Sequence, residues 1–156
     1  MKDGDVMITI ALPSAHDTVA LGQRLGECAV KGLVIALYGE LGAGKTTFAQ
    51  GLAKGLGVIS AVQSPTFTLV VHYDEGRLPF YHLDVYRLGD KAMLEAAMFE
   101  EYFYADGVCA IEWAQLLDSV LPEDRLDVRF RHEGSRHVTI EARGPIAQDV
   151  FAQWVK

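Results

Sequence analysis

Between Gly39 and Thr46 the chain runs Gly-Glu-Leu-Gly-Ala-Gly-Lys-Thr, an ungapped match to G-x-x-x-x-G-K-[ST]. The six residues before it, Leu33 to Tyr38, are all apolar, as in a strand covered on both faces. A helical pattern follows from about Thr46 to Leu56. Strand, glycine-rich turn and helix in that order make a phosphate-binding loop. Gly39, Gly42 and Gly44 permit backbone conformations that a Cβ would obstruct. The loop backbone, through Glu40, Leu41 and Ala43 as well as the glycines, can then form a nest of N–H groups around a β-phosphate at the positive end of the helix. In such a loop Lys45 neutralises β/γ oxygens, Thr46 offers its hydroxyl to Mg2+, and Thr47 lies beside the α-phosphate. At average composition a chance match in a chain of this length is expected under about 1% of the time. Nucleotide binding is therefore the primary expectation, on an open α/β sheet.

The rest of the chain agrees with that class. At 156 residues, half of them apolar, it suits a single P-loop NTPase-like domain over 1–156 with a substantial core. A net charge of −7 disfavours a basic nucleic-acid-binding module. Cys28 and Cys109 form no C-x-x-C and no His/Cys set has zinc spacing, so two buried, reduced thiols are expected. The N-terminal segment has no secretory pattern. The apolar run before the loop is far short of the roughly 20 residues that span a bilayer. These features predict a cytoplasmic location and no membrane partner.

Periodicity predicts a strand over Val6–Leu12, then a helix capped at Ser14 or Asp17, ending near Val30 and burying Thr18, Leu21, Leu25 and Ala29. Phe67–Tyr73 and Leu78–Leu83 are expected strands around an Asp74–Arg77 turn. Lys91–Tyr104 has helical spacing through Leu94, Met98 and Tyr102. Val108–Ile111 is a short buried strand. Leu126–Arg131 and Val138–Ala142 form a hairpin around His132–Ser135, and a helix covers Ile146–Val155. The fold class is α/β, with a mixed parallel/antiparallel central sheet flanked by helices.

A phosphate loop alone does not name a reaction. The sequence contains no Asn, so the usual Asn-Lys-x-Asp guanine reader is absent, and no D-x-x-G follows the loop. Two carboxylates close apolar strands: Asp84 after Phe80-Tyr-His-Leu, and Glu112 after Val108-Cys-Ala-Ile. Ligands of open α/β sheets sit outside the carboxyl ends of the strands, where an acid can hold Mg2+ or orient water. His82 and Tyr86 beside Asp84 are expected to pack or orient the loop, and Arg87 to form a structural ion pair. Trp113 is expected to be a core or interface aromatic.

The loop, the segment Ser64-Pro-Thr-Phe-Thr-Leu69, the block His82-Leu-Asp-Val-Tyr-Arg-Leu88 and the pair Glu112-Trp113 resemble, in order and spacing, the TsaE (YjeE) family, the ATPase of bacterial tRNA threonylcarbamoyladenosine (t6A) synthesis. The resemblance implies a weak, partner-activated, ATP- and Mg2+-dependent enzyme. Its partners would be the threonylcarbamoyl-transferase and its inactive paralogue (TsaD and TsaB types), with tRNA reached only through that complex. Carried onto this chain, Thr46 and Glu112 form the Mg2+ shell, Thr66 senses the γ-phosphate, Asp84 positions metal or water, and Arg136 touches the nucleotide. Ala114 stands where family members often have Pro, and Met98 where many have Gly; both departures bear on partner contacts. A small-molecule kinase and a non-hydrolysing nucleotide switch are the competing readings. Against a kinase, the stretch from Leu88 to Asp124 holds one Lys and no Arg for a lid.

Charge is unevenly spread. Residues 84–127 carry eleven acids against three bases, a net −8, which leaves the remainder at +1. This stretch, Glu100 and Glu101 included, is either a solvated face or a docking face for a more basic partner. The C-terminal hairpin gathers Arg125, Arg129, Arg131, Arg136 and Arg143, and there the charge argument against RNA is weak.

Overall fold

A computed structural model describes residues 5–65 and 67–155. Seven strands form one sheet in the order β1-β7-β6-β2-β5-β4-β3, comprising β1 (Val6–Ala11), β2 (Val34–Tyr38), β3 (Val70–Tyr73), β4 (Phe80–Asp84), β5 (Val108–Glu112), β6 (Arg125–Glu133) and β7 (Ser135–Arg143). The central pairs β6–β2, β2–β5 and β5–β4 are parallel, and the outer pairs β1–β7, β7–β6 and β4–β3 are antiparallel. Every residue of β2 is buried, as its uniformly apolar sequence requires. The carboxyl ends of β2, β4, β5 and β6 all lie at one edge, and the β6–β7 turn brings the start of β7 to that edge too.

One face of the sheet is covered by α1 (Ala15–Cys28), α2 (Lys45–Gly55) and α4 (Pro145–Trp154), which share a core with Ile35, Leu37, Phe80, Val128 and Ile140 of the strands. The other face packs against α3 (Ala97–Phe103) and 3-10 turns at Tyr86–Lys91 and Ala114–Val120, through Val34, Ala36, Leu83, Cys109 and Ile111. Ser14 caps α1 in a reciprocal capping box with Asp17. Thr18, Leu21, Leu25 and Ala29 are all buried, as their spacing predicts.

The α1–α2 contact is made backbone to backbone. A Cβ on Gly22 would stand 2.4 Å from the Phe48 carbonyl oxygen, and one on Gly51 would stand 2.2 Å from that of Val19. Gly26 and Gly55 meet the facing helix as closely. At the far end of this pair, Arg77 from the β3–β4 connection donates to the carbonyls of Gly26 and Ala29 at 2.8 and 2.9 Å, satisfying orphan acceptors at the α1 C-terminus. The Trp154 indole N–H donates to the Leu21 carbonyl at 2.9 Å and fixes α4 on the same helix.

Four expectations need correction. The strand predicted from Phe67 begins only at Val70. Leu69 has a positive φ of 68° and its N–H closes a turn onto the Pro65 carbonyl, while Phe67 is 80% exposed. The helix predicted over Lys91–Tyr104 is regular only at Ala97–Phe103, and its inward face is not the one that the spacing of the larger side chains predicts. Ala92, Ala96, Phe99 and Phe103 point inward, whereas Leu94 is 83% exposed and Met98 is exposed too. Arg87 is exposed and makes no ion pair among the described residues. Cys28 is half-buried, although Cys109 is fully enclosed and burial pushes its thiol well up.

Candidate functional site

The phosphate loop leaves β2 at Gly39 and enters α2 at Lys45. Gly39, Gly42 and Gly44 have φ of 150°, 79° and 114°. At Gly42 no atom crowds the Cβ position, so the positive φ itself selects glycine; at Gly39 a Cβ would also press on Phe130. Gly44 is the N-cap of α2 and supplies no side-chain acceptor, so the first N–H groups of the helix stay open for an anion.

Lys45 is only 4% exposed. Its Nζ donates to the carbonyls of Gly39 and Glu40 and lies 4.2 Å from the centroid of the Trp113 ring. Burial lowers its pKa, against the opposing pull of Glu112, Asp84 and Glu40. Trp113 in turn packs on the exposed Tyr86 ring at 4.6 Å and holds its backbone at φ 60°. It packs at the margin of the second core, as a core aromatic would, and also covers the loop lysine.

Asp84 and Glu112 are register partners at the ends of β4 and β5, each 3% exposed. Both point to the α2 face of the sheet. The Thr46 hydroxyl donates to Glu112, 3.0 Å from both carboxylate oxygens. Asp84 accepts from the Ser64 hydroxyl and the Tyr86 N–H, each at 2.9 Å. His82, fully buried, places Nε2 2.7 Å from Glu112 Oε2. A cleft of about 360 Å³ is lined by Lys45, Thr46, Thr47, Ser64, Asp84, Glu112 and Arg136, with Leu41, Gly42, Gly44, Tyr86 and Trp113. Arg136 reaches it because β7 runs antiparallel to β6. Of the expected site residues, Leu41, Gly42, Gly44, Lys45, Thr46, Thr47, Asp84, Glu112 and Arg136 line this cleft, Gly39, Glu40 and Ala43 line the adjoining cavity, and Thr66 lies outside the described residues.

Thr46, Glu112 and Asp84 offer hard oxygen donors, the type Mg2+ takes. Among the described residues no three His, Cys, Asp or Glu side chains cluster as a cage for a metal.

A larger cavity of about 580 Å³ adjoins the loop on its β6 flank, between Tyr38, Arg129, Arg131 and Trp113. Its base is organised by Asp127, which is fully buried and accepts from Tyr38 Oη at 3.1 Å, Arg125 Nε at 2.8 Å and Arg143 Nε at 2.6 Å. Arg129 lies over the Tyr38 ring at 4.2 Å. Three of the hairpin arginines, Arg125, Arg129 and Arg143, are thus paired with one internal carboxylate instead of forming an open basic patch. Ser64, Trp113 and Asp127 carry contacts that sequence reading does not assign. The signal available for Ser64 is its place in the Ser64–Leu69 segment; for Asp127 there is none, because its partners come from register.

Residues 12–140 match the family described as "Threonylcarbamoyl adenosine biosynthesis protein TsaE". The chain is 44% identical over 131 residues to the tRNA threonylcarbamoyladenosine biosynthesis protein TsaE of Bacillus subtilis, covering 83% of this chain and 82% of that one. The chain belongs to the TsaE family. The Haemophilus influenzae family member is 31% identical over 151 residues, covering 93% and 96% of the two chains. In structure the fold is similar to a crystal structure of Bacillus subtilis YdiB, with a TM-score of 0.85, 34% identity and coverage of 99% and 97%. The α/β class and mixed sheet of this family are the ones expected from the sequence. Among the described residues no helix is long and apolar enough to cross a membrane.

Proposed function

We propose that this chain is the Mg2+-dependent ATPase of tRNA t6A biosynthesis, acting in the cytoplasm with a TsaD-type transferase and its TsaB-type paralogue. Family membership supports the pathway. The observation that carries the ATPase reading is the contact between the loop hydroxyl of Thr46 and the strand-end carboxylate of Glu112, 3.0 Å apart beside Lys45 and Asp84. A kinase would need an acceptor pocket and a basic lid, and no observation favours one.

In this reading the N–H groups of the loop and the start of α2 hold the phosphates, and Lys45 exchanges its carbonyl contacts for β/γ oxygens. Thr46 and Glu112 would hold Mg2+, which would supply charge neutralisation to the nucleotide phosphates. Asp84, held by Ser64 and the Tyr86 amide, orients a water whose oxygen forms the new bond to the γ-phosphorus and accepts its proton. The bond from that phosphorus to the bridging oxygen breaks, and ADP leaves with the electron pair. Arg136 offers charge to the nucleotide from the open side, and Thr66 reports the γ-phosphate.

Lys45→Ala is expected to abolish ATP binding in titration calorimetry; unchanged affinity would remove the loop from the site. Glu112→Ala and Asp84→Ala should still bind ATP but lose turnover by about 100-fold or more, as removal of a preorganised electrostatic group does. Normal hydrolysis by both would make the acids structural. Cells depleted of the protein should lose t6A from their tRNA, and a normal t6A content would refute the pathway assignment.

A further inference from the structure

His82 is an expensive residue where it stands. Its side chain is completely buried, with the Phe80 ring parallel to it at 5.9 Å, and its Nδ1 has no hydrogen-bond partner among the described residues. A buried polar atom without a partner carries a desolvation penalty that an apolar side chain of similar volume would not incur. Among the described residues, the polar contact the imidazole makes is through Nε2 to Glu112 Oε2, at 2.7 Å. An ionised carboxylate only accepts, so Nε2 is the donor of this contact.

Glu112 needs such a hold. The last torsion of a glutamate is broad and roughly two-fold, so strand geometry does not by itself fix the carboxylate plane. Thr46 Oγ1 is equidistant from the two oxygens, at 3.0 Å from each, and does not distinguish them. His82 does: its contact is with Oε2, made from the buried end of the carboxylate. His82 and Asp84 also alternate on one face of β4, so the same strand sets both acids of the site.

We propose that His82 is a positioning residue that orients Glu112 for the divalent cation of the nucleotide complex. This rests on the reading of Glu112 as the metal-site acid. Partners in the shell behind a metal ligand typically contribute about 10–100-fold to metal affinity or activity. The effect is expected in metal dependence and kcat, not in the grip on the phosphates.

The test compares His82→Gln, whose amide nitrogen reaches about as far as Nε2, with His82→Asn, which stops short, and His82→Leu, which fills the space without a donor. Three quantities are measured in each: Tm, ADP affinity with Mg2+ against ADP affinity in EDTA, and kcat with KM for ATP. Gln should stay near wild type. Asn and Leu should lose about 10–100-fold in the Mg2+-dependent gain of ADP affinity and in kcat, with affinity in EDTA and KM little changed. Should the Leu variant not fold, the Asn–Gln pair decides alone. Equal behaviour of Asn and Gln at comparable Tm would overturn the inference. So would wild-type metal dependence in all three while Glu112→Ala abolishes it. If Glu112→Ala itself leaves metal dependence intact, the assignment of Glu112 fails and takes this inference with it.

Discussion

Tyr38 precedes the first loop glycine, and its hydroxyl donates to the fully buried carboxylate of Asp127. Burial first, and then the Asp127 charge, push its phenol up to about 12. Below the ordinary tyrosine value of about 10 both folded and unfolded chains keep this proton. Between there and about 12 only the unfolded chain releases it, so this contribution to stability is lost as the pH rises across that window. Tyr38→Phe should flatten the alkaline fall in stability by on the order of 2 kcal/mol, while costing about 1 kcal/mol at neutral pH for the lost hydrogen bond. Urea denaturation of both proteins from about pH 8 to 12 measures it, and an unchanged alkaline arm would exonerate the phenol. At this scale the residues legible in the sequence are those whose roles are local: the loop glycines, Lys45, Thr46 and the two strand-end acids. His82 and Asp127 are not, because what each touches depends on which strand lies beside it and in what register.

Elements are legible where one pattern dominates. The wholly apolar β2, the buried β5, the α1 face and the C-terminal hairpin can be read directly. Beyond Lys91 the larger side chains mislead, because Ala92 and Ala96 take the inward positions and leave Leu94 outside. The α1–α2 pair shows the same lesson in reverse, since glycines that weaken an isolated helix here permit contact between backbones. Gly51→Ala should therefore destabilise the protein by about 1–3 kcal/mol through overpacking against Val19, although alanine in a free helix gains about 1 kcal/mol over glycine. A rise in Tm for this variant would show that the helices can separate at little cost.

For the whole molecule, location of charge matters more than its total. Glu100 and Glu101 are exposed on α3, within the stretch that carries −8, and the apolar Leu94 and Met98 stand open nearby in sequence. Reversing both acids to Lys should weaken assembly with the proposed transferase partners about tenfold at low salt and less at high salt. Salt-independent, unaltered assembly would leave this face to solvent. The backbone contact of α1 with α2 has a consequence on this scale. It makes the phosphate end of the cleft one fixed jaw of a vice, braced by Trp154 and by the Arg77 cap. The opposite jaw is made of turns: the segment through Ser64, the turn at Tyr86 and the strained Trp113. Nucleotide binding is therefore expected to change amide exchange more over residues 85–107, on the side made of turns, than over α1 and α2, and equal change on both sides would show that neither is the stiffer jaw.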